Sequence, residues 1–256
     1  MLMVLTLFIH ILGFIMTSRE EIPVLSPADG VVSGKRIPAY TNSWEMTALN
    51  PDSSIVYRGT WNDEVSFYTK DGKEILKREQ HVQYSDKLTI QQEEVYRDNL
   101  QHIRLIIFNK GEEPHTDIHY DSSRIWGRKV FRVAGSENIE QMSLPFSYEI
   151  NKPVFDWHLW GILIAGFPLK EGYAAKFLAH ESYSYLPGDF RWFTLKVTGT
   201  EMIDGGKWGK VNCYTVEVEA EVKWKLWIAI DKSIAPVQQI RIDNTDGVQF
   251  WWKPQK

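Results

Sequence analysis

Residues 214–230, YTVEVEAEVKWKLWIAI, carry an apolar side chain at all nine even-numbered positions. Most of the odd-numbered positions between them are polar, and they include three glutamates and two lysines. Alternation with a period of two is typical of strands with one buried and one solvated face. One straight strand of this length would exceed the usual span of about 3–10 residues. We therefore expect a sharp bend, or a connection of odd length near residues 219–222 that preserves the alternation.

The rest of the chain repeats this pattern in shorter segments. Alternating stretches occupy most of residues 54–133, 173–203 and 248–252, and polar or glycine-containing turns separate them. Asp71-Gly72 is a strong hairpin signal. Residues 20–51 contain several prolines and glycines and are interpreted as turns and loose connections. The chain is thus predicted to be all-β and antiparallel, with one short helix.

That helix is predicted for residues 154–166, where the alternation stops and nearly every side chain is apolar. Asp156 can cap its start, and Gly166 followed by Pro168 can end it. A helix that is apolar nearly all round must be buried. The economical arrangement is a strongly curved sheet, or half-open β-barrel, that wraps the helix and leaves it as a lid across the mouth.

Charge and cysteine content narrow the functional classes. The 256-residue chain has a net charge of −4, which argues against a nucleic-acid partner, because such proteins need a basic face. The single cysteine, Cys213, excludes an internal disulfide and is expected to be a semi-buried free thiol. Phosphate-binding loops, dinucleotide fingerprints and nucleophile elbows are missing from the sequence. We therefore expect no cofactor and no enzymatic activity.

The N-terminal residues predict export. Residues 2–16 are nearly all apolar, which is short for a membrane span of about 20 residues but fits the core of a secretory signal. Residues 1–19 are taken as a signal-like leader and residues 20–256 as a single β domain. The mature chain is then expected in the periplasm or outside the cell, without a membrane span.

Two groups of polar residues are candidates for a metal site or a catalytic site. His115 and His119 are weak metal candidates, because positions i and i+4 of a strand lie about 13 Å apart, too far for one tetrahedral ion. No metal is expected there. Asp156 and His158 could form half of a hydrolase triad, but a helix cap with a hydrogen-bonded histidine explains them more simply.

The tryptophans are the better indication of a site. The chain has 11 of them, and indoles favour ligand grooves as well as cores. The residues predicted to line a hydrophobic cavity come from the apolar helix and from the buried faces of the C-terminal strands. They are Trp157, Trp160, Leu163, Phe193, Val216, Val218, Trp224 and Leu226.

Several segments together resemble a known family. The segments 155–161 and 167–173, then 197–201 and 226–237, resemble an uncharacterised bacterial cell-envelope family that is similar to the lipoprotein carriers LolA and LolB. The resemblance spans roughly residues 50–245. It implies a half-open barrel with a hydrophobic concavity and a helical lid, in which the carriers shelter acyl chains. No binding residue carries over position by position.

Two functions follow as expectations. The first is an exported cell-envelope protein that binds a hydrophobic or lipid-like small molecule in the concavity of the half-barrel. The alternative is a non-enzymatic module that binds carbohydrate or protein through exposed indoles. The candidates for that second role are Trp227, Trp251 and Trp252, where the alternation predicts exposure.

Overall fold

The computed structural model describes residues 21–84, 87–133, 140–182 and 190–255. The predicted leader, residues 1–19, lies outside this part of the chain. The described residues form sixteen strands, one short α-helix and four 3-10 turns. The strands are β1 (Val24–Leu25), β2 (Tyr40–Leu49), β3 (Ile55–Lys70), β4 (Lys73–Tyr84), β5 (Lys87–Tyr96), β6 (His102–Asn109), β7 (Thr116–Tyr120), β8 (Arg124–Val133), β9 (Glu140–Glu149), β10 (Phe155–Asp156), β11 (Ala174–His180), β12 (Phe190–Asp204), β13 (Lys210–Glu219), β14 (Lys223–Ala229), β15 (Val237–Asp243) and β16 (Gln249–Pro254).

All strands belong to one large sheet that is not closed. Its order is β1-β11-β12-β13-β14-β15-β16-β2-β3-β4-β5-β6-β7-β8-β9, with β10 also beside β11. Neighbours are antiparallel except for the two-residue strands β1 and β10, which run parallel to β11. Most neighbours in the sheet are also neighbours in sequence, as expected for short connections. The expectation of a mostly β protein with one short helix is confirmed.

The alternating stretch 214–230 forms two strands joined by a connection of odd length, as its alternation predicts. It supplies most of β13 and all of β14, which pair with Val218 opposite Trp224 and Val216 opposite Leu226. The connection between the strands is the three residues Ala220 to Val222, an odd number that keeps the even-numbered side chains on one face. The Asp71-Gly72 hairpin between β3 and β4 is also confirmed, with φ of 50° and 75° at its two turn residues.

Two expectations about strands are wrong. Residues 20–51 are not only loose connections, because they contain the ten-residue strand β2. Its inward positions include a buried Asn42, and this polar residue interrupts the apolar alternation that would have indicated a strand. The sequence also predicts two separate strands, over residues 54–60 and 64–69, whereas the structure has the single strand β3 over Ile55–Lys70.

The helix is shorter than predicted. The segment 154–166 consists of β10, a 3-10 turn at Trp157–Leu159 and the α-helix α1 (Trp160–Gly166). Asp156 caps the 3-10 turn as expected, because its Oδ1 accepts the backbone N–H of His158 at 2.7 Å. At the other end Arg36 donates from Nη1 to the Gly166 carbonyl at 2.8 Å, which places a cation at the helix C-terminus.

The curved sheet wraps this segment. All seven residues of α1 are buried, and they share one core cluster with side chains from β2 to β5 and from β11 to β16. Gly161 lets the helix approach β15 closely, since a Cβ at this position would lie 2.7 Å from the Val237 methyl group. The helix therefore fills the concavity and belongs to the core.

A second cluster lies between the two ends of the sheet. Leu105, Ile118 and Ile125 from β6, β7 and β8 pack with Val154, and Leu178 and Phe190 of β11 and β12 lie against them. Side chains, rather than backbone hydrogen bonds, thus join the ends. Within the described part of the chain, no helix has the length and apolar character needed to cross a bilayer.

Candidate functional site

Four of the predicted cavity residues meet at one pocket. Trp157 of the 3-10 turn, Trp160 of α1, Phe193 of β12 and Trp224 of β14 all line a pocket with a volume of about 220 Å³. The other four predicted residues do not line it. They are fully buried in the core around the helix: Leu163, Val216, Val218 and Leu226.

The aromatic side chains of the pocket pack against one another. Trp157 stacks on Phe193 with ring centroids 4.2 Å apart and an angle of 24° between the planes. Trp157 and Trp224 meet edge to face at 5.2 Å and 89°. Trp160 lies 6.2 Å from Trp224 at an angle of 37°. Because the ring planes differ in direction, the indoles form a corner rather than a flat wall.

Charged residues form the rim of the pocket. Arg191 at the start of β12 bonds to Glu181 through Nε at 2.8 Å, and its Nη1 contacts Glu221 on the β13–β14 connection. Ala220 and Val222 complete the rim on that connection. The sequence patterns placed none of these five residues at a cavity, because their position at the rim depends on which strand ends and turn meet in space.

A network of fully buried charged residues lies behind the aromatic corner. Arg78 of β4 donates from Nε to Asp63 at 2.8 Å and has Nη1 3.6 Å from Glu93 of β5. Tyr40 donates its hydroxyl to Asp63 at 2.7 Å. On the other side, Nδ1 of His158 lies 2.6 Å from Oε1 of Glu93. Strands β2 to β5 are thereby tied to the segment that carries Trp157.

Asp156 is the centre of a second group on the same segment. In addition to the cap at His158, it accepts a hydrogen bond from the Tyr120 hydroxyl at 2.6 Å and from Ser182 at 2.8 Å. Nδ1 of His180 lies 2.8 Å from Asp156 Oδ2, the oxygen that also accepts the Tyr120 hydroxyl, whereas Ser182 donates to Oδ1. We call Asp63, Arg78, Glu93, Asp156, His158 and His180 the buried polar network.

The network lowers the pKa values of Glu93 and Asp156. Burial alone would raise the pKa of Glu93, but His158, His102 and Arg78 outweigh burial and hold that pKa well below its usual range. The same holds for the pKa of Asp156, where burial is outweighed by His180, His102 and the Tyr120 hydroxyl. Both side chains are therefore ionised carboxylates in the interior.

The network and the pocket share the segment 156–160. Asp156 and His158 flank Trp157 in sequence and hold its backbone, while the guanidinium carbon of Arg78 lies 5.0 Å from the centroid of the Trp160 ring. The buried charges therefore fix the two indoles at the back of the pocket. The sequence predicts Asp156 as a cap and His158 as a hydrogen-bonded side chain, but nothing in its pattern indicates that Arg78 and Glu93 are buried beside them.

The arrangement around Asp156 does not form a nucleophilic triad. Ser182 donates to the carboxylate of Asp156 rather than to the imidazole of His180. Both Asp156 and His180 are fully buried. A hydroxyl that is bonded to the acid instead of the base lacks the activation that such a mechanism needs.

The weak metal candidates have separate partners. His115 precedes β7, and its Nδ1 lies 3.2 Å from the hydroxyl of Thr116. His119 lies 3.3 Å from Asp117 and stacks on Trp126. Among the residues that the structure describes, no group of three or more His, Cys, Asp or Glu side chains is arranged to hold a metal ion. Cys213 is a buried free thiol, and burial raises its pKa to about 12.

The exposure expected for the C-terminal indoles is wrong in two cases. Trp227 is only 4% exposed and Trp252 only 7%. Trp227 belongs to a small cluster on the outer face of the sheet with Ile203, Val211, Cys213 and Ala229. Trp251 is half-buried, and the cations of Arg241 and Lys253 lie over its ring. A flat, free indole surface is therefore not formed by these three residues.

Comparison with known proteins identifies one family. A family model described as "Protein of unknown function (DUF3108)" matches residues 98–248. No curated protein sequence matches the chain. The matched region begins just before β6 and ends just before β16, so it contains Trp157, Trp160, Phe193 and Trp224 together with the rim of the pocket.

Proposed function

The chain belongs to the DUF3108 family of proteins of unknown function, and we propose that it binds a hydrophobic or lipid-like small molecule in its aromatic pocket. The observation that carries the proposal is the convergence of Trp157, Trp160, Phe193 and Trp224 on one pocket of about 220 Å³. Such a pocket offers apolar contact area with a few polar groups at its edge, as small-molecule sites do.

The volume limits the part of a ligand that the pocket holds. A dry apolar cavity of about 150 Å³ is enough to bind benzene. A pocket of 220 Å³ therefore suits one ring or the end of an acyl chain, rather than a complete chain. Burial of about six methylene-sized groups contributes about 5 kcal/mol, which corresponds to a dissociation constant of a few tenths of a millimolar.

Entry to the pocket differs from the lid expected from sequence. The helix is enclosed by the sheet, whereas the pocket opens beside the β13–β14 connection. We propose that a ligand enters past this connection and that α1 stays in place. The LolA- and LolB-like architecture, the cell-envelope location and the export of the chain remain parts of this proposal, and they rest on the resemblance and on residues 1–19.

The proposed role is binding without catalysis. The buried polar network supports this role because its carboxylates and imidazoles bond to one another and position Trp157 and Trp160. The alternative function, carbohydrate or protein binding through Trp227, Trp251 and Trp252, has less support because Trp227 and Trp252 are buried.

Titration with 1-hexanol tests the proposal. We expect calorimetry and tryptophan fluorescence to give a dissociation constant of a few tenths of a millimolar for the natural sequence. Ala220→Phe adds a ring at the rim without removing a core side chain, and it should weaken binding at least about tenfold. Glu219→Phe adds the same ring at the neighbouring exposed position outside the pocket and should bind hexanol normally. Absence of saturable binding, or equal binding by both variants, would refute the proposal.

A further inference from the structure

We infer that the pocket selects small organic cations with an apolar part, such as alkylammonium compounds, over neutral and anionic compounds of the same size. This inference rests on the proposed function and concerns the charge of the ligand. It depends on three features of the pocket: the composition of its charged rim, the pairing of its arginine and the character of its aromatic surface.

The rim carries more negative than positive charge. Among the described residues, Glu181, Arg191 and Glu221 are the charged side chains that line the pocket, and together they contribute a formal charge of −1. Glu181 and Arg191 are mostly buried and offset each other, so the excess negative charge lies on the exposed Glu221, where it acts most strongly at low ionic strength. A cation entering the pocket gains from this excess, whereas an anion is repelled.

The arginine is already paired on two sides. Its Nε bonds to Glu181 at 2.8 Å and its Nη1 contacts Glu221. A ligand carboxylate would have to displace one of these glutamates before it could form a bidentate contact with the guanidinium. Glu221 keeps further acceptor positions, because a carboxylate has two oxygens with about four lone-pair sites in total. The rim therefore offers acceptors to a ligand more readily than donors.

The aromatic surface favours the same charge. The faces of indole rings carry negative potential, and Trp is the best partner for a cation–π contact. Trp157 and Trp224 meet at 89°, so a group in the corner between them is close to two indoles of different orientation. Arg78 already lies over the Trp160 ring, which shows that an indole of this pocket accepts a cation from the core side.

Three probes with the same six-carbon chain and a head group of similar size test the inference: hexylammonium, 1-hexanol and hexanoate. At low ionic strength, where charge interactions are least screened, we expect the cation to bind about tenfold more tightly than hexanol. Hexanoate should bind more weakly than hexanol. Calorimetry gives all three dissociation constants for the full chain.

Two variants of neighbouring glutamates provide the control. Glu221→Gln removes a rim charge and should reduce the ratio of cation to hexanol affinity several-fold. Glu219→Gln removes another exposed charge on the same hairpin, outside the pocket, and should keep that ratio. Equal affinity for the cation and hexanol, or tighter binding of hexanoate, overturns the inference while the proposed function stands. If none of the three probes binds, the proposed function itself fails.

Discussion

Glu93 is ionised and fully buried, and three side chains surround its carboxylate. His158 lies at 2.6 Å, Arg78 at 3.6 Å and His102 at 3.7 Å from its oxygens. Transfer of a carboxylate from water into a protein interior is unfavourable by several kcal/mol unless partners offset it. These contacts therefore add little net stability, but they place His158, and with it Trp157, in one position.

Replacement of Glu93 by glutamine should destabilise the fold strongly. The substitution removes the buried carboxylate that faces Arg78, His102 and His158, and loss of one partner of a buried ion pair lowers the free energy of unfolding by about 3–5 kcal/mol. Urea unfolding measures this change. Glu217→Gln, on the exposed face of β13, should change it by less than about 0.5 kcal/mol. A loss below about 1 kcal/mol for Glu93→Gln would show that the network does not act as described.

Stability should also fall in acid. The pKa values of Glu93 and Asp156 are lower in the folded chain than the values of about 4 expected in the unfolded chain. Their contribution is therefore complete above about pH 5 and is lost as the pH falls through the unfolded value toward the folded one. Urea unfolding between pH 7 and pH 3 should show this decline, and Glu93→Gln should show a shallower one. If the free energy of unfolding declined equally with pH in the natural sequence and in Glu93→Gln, Glu93 would not be a source of the acid sensitivity.

Sequence reasoning found only part of the network. Asp156 and His158 were visible because they interrupt an apolar block. Arg78 was hidden in β4, where the polar residues Arg78 and Gln80 occupy inward positions between Leu76 and Val82. A strand whose inward face is partly charged looks like a solvated strand unless its neighbours are known.

Individual elements were predictable where one side-chain pattern dominates. The hairpin of β13 and β14 followed from parity alone, because a three-residue connection keeps the even-numbered residues on the buried face. The sequence alternation also changes phase at Gln238-Gln239, which predicts a bulge, and the structure has an irregularity there. Trp227 pairs with Gln239 and Ile228 with Val237, so Gln238 is an extra residue in β15.

The helix shows the limit of local patterns. An apolar block of 13 residues predicted about three turns of helix, but only seven residues are α-helical and the block begins with the short strand β10. Phe155 pairs with Ala179 and Asp156 with His180 at the edge of β11. Pairing with a distant strand is a tertiary contact, and no local sequence signal reports it.

Close packing of α1 on β15 gives a prediction for Gly161. Alanine has a higher helix propensity than glycine by about 1 kcal/mol, so local preference favours Gly161→Ala. A Cβ at this position would lie 2.7 Å from the Val237 side chain, and overpacking lowers the free energy of unfolding by about 1–3 kcal/mol. We expect net destabilisation in thermal unfolding.

Two variants serve as controls for this prediction. Gly199→Ala has open space around the new methyl group and should not destabilise the fold. Val237→Ala combined with Gly161→Ala should destabilise the fold by less than the sum of the two single changes, because the smaller side chain makes room for the methyl group. An increase in stability for Gly161→Ala alone would refute the close contact.

At the scale of the whole molecule, the sequence predicts a sheet that wraps the helix, but it does not predict how completely side chains fill the space inside the sheet. A broad apolar face and one apolar helix led directly to a sheet that wraps the helix, and the structure has this arrangement. How much of the space inside the sheet is filled by side chains depends on their three-dimensional packing. Leu163, Val216, Val218 and Leu226 pack solidly in the core, so the pocket at Trp157 and Trp224, rather than the whole concavity, is the space that we propose for an apolar ligand.

The central claim is that this pocket holds an apolar guest molecule. Mass spectrometry tests it most directly. The natural sequence and Ala220→Phe are each produced in the organism that naturally makes the protein and purified without detergent, and organic extracts of the two are compared. The account predicts an apolar compound, or a small set of them, bound to the natural sequence and reduced at least about tenfold in the variant. Equal amounts in both extracts, or no bound compound in either, would contradict it.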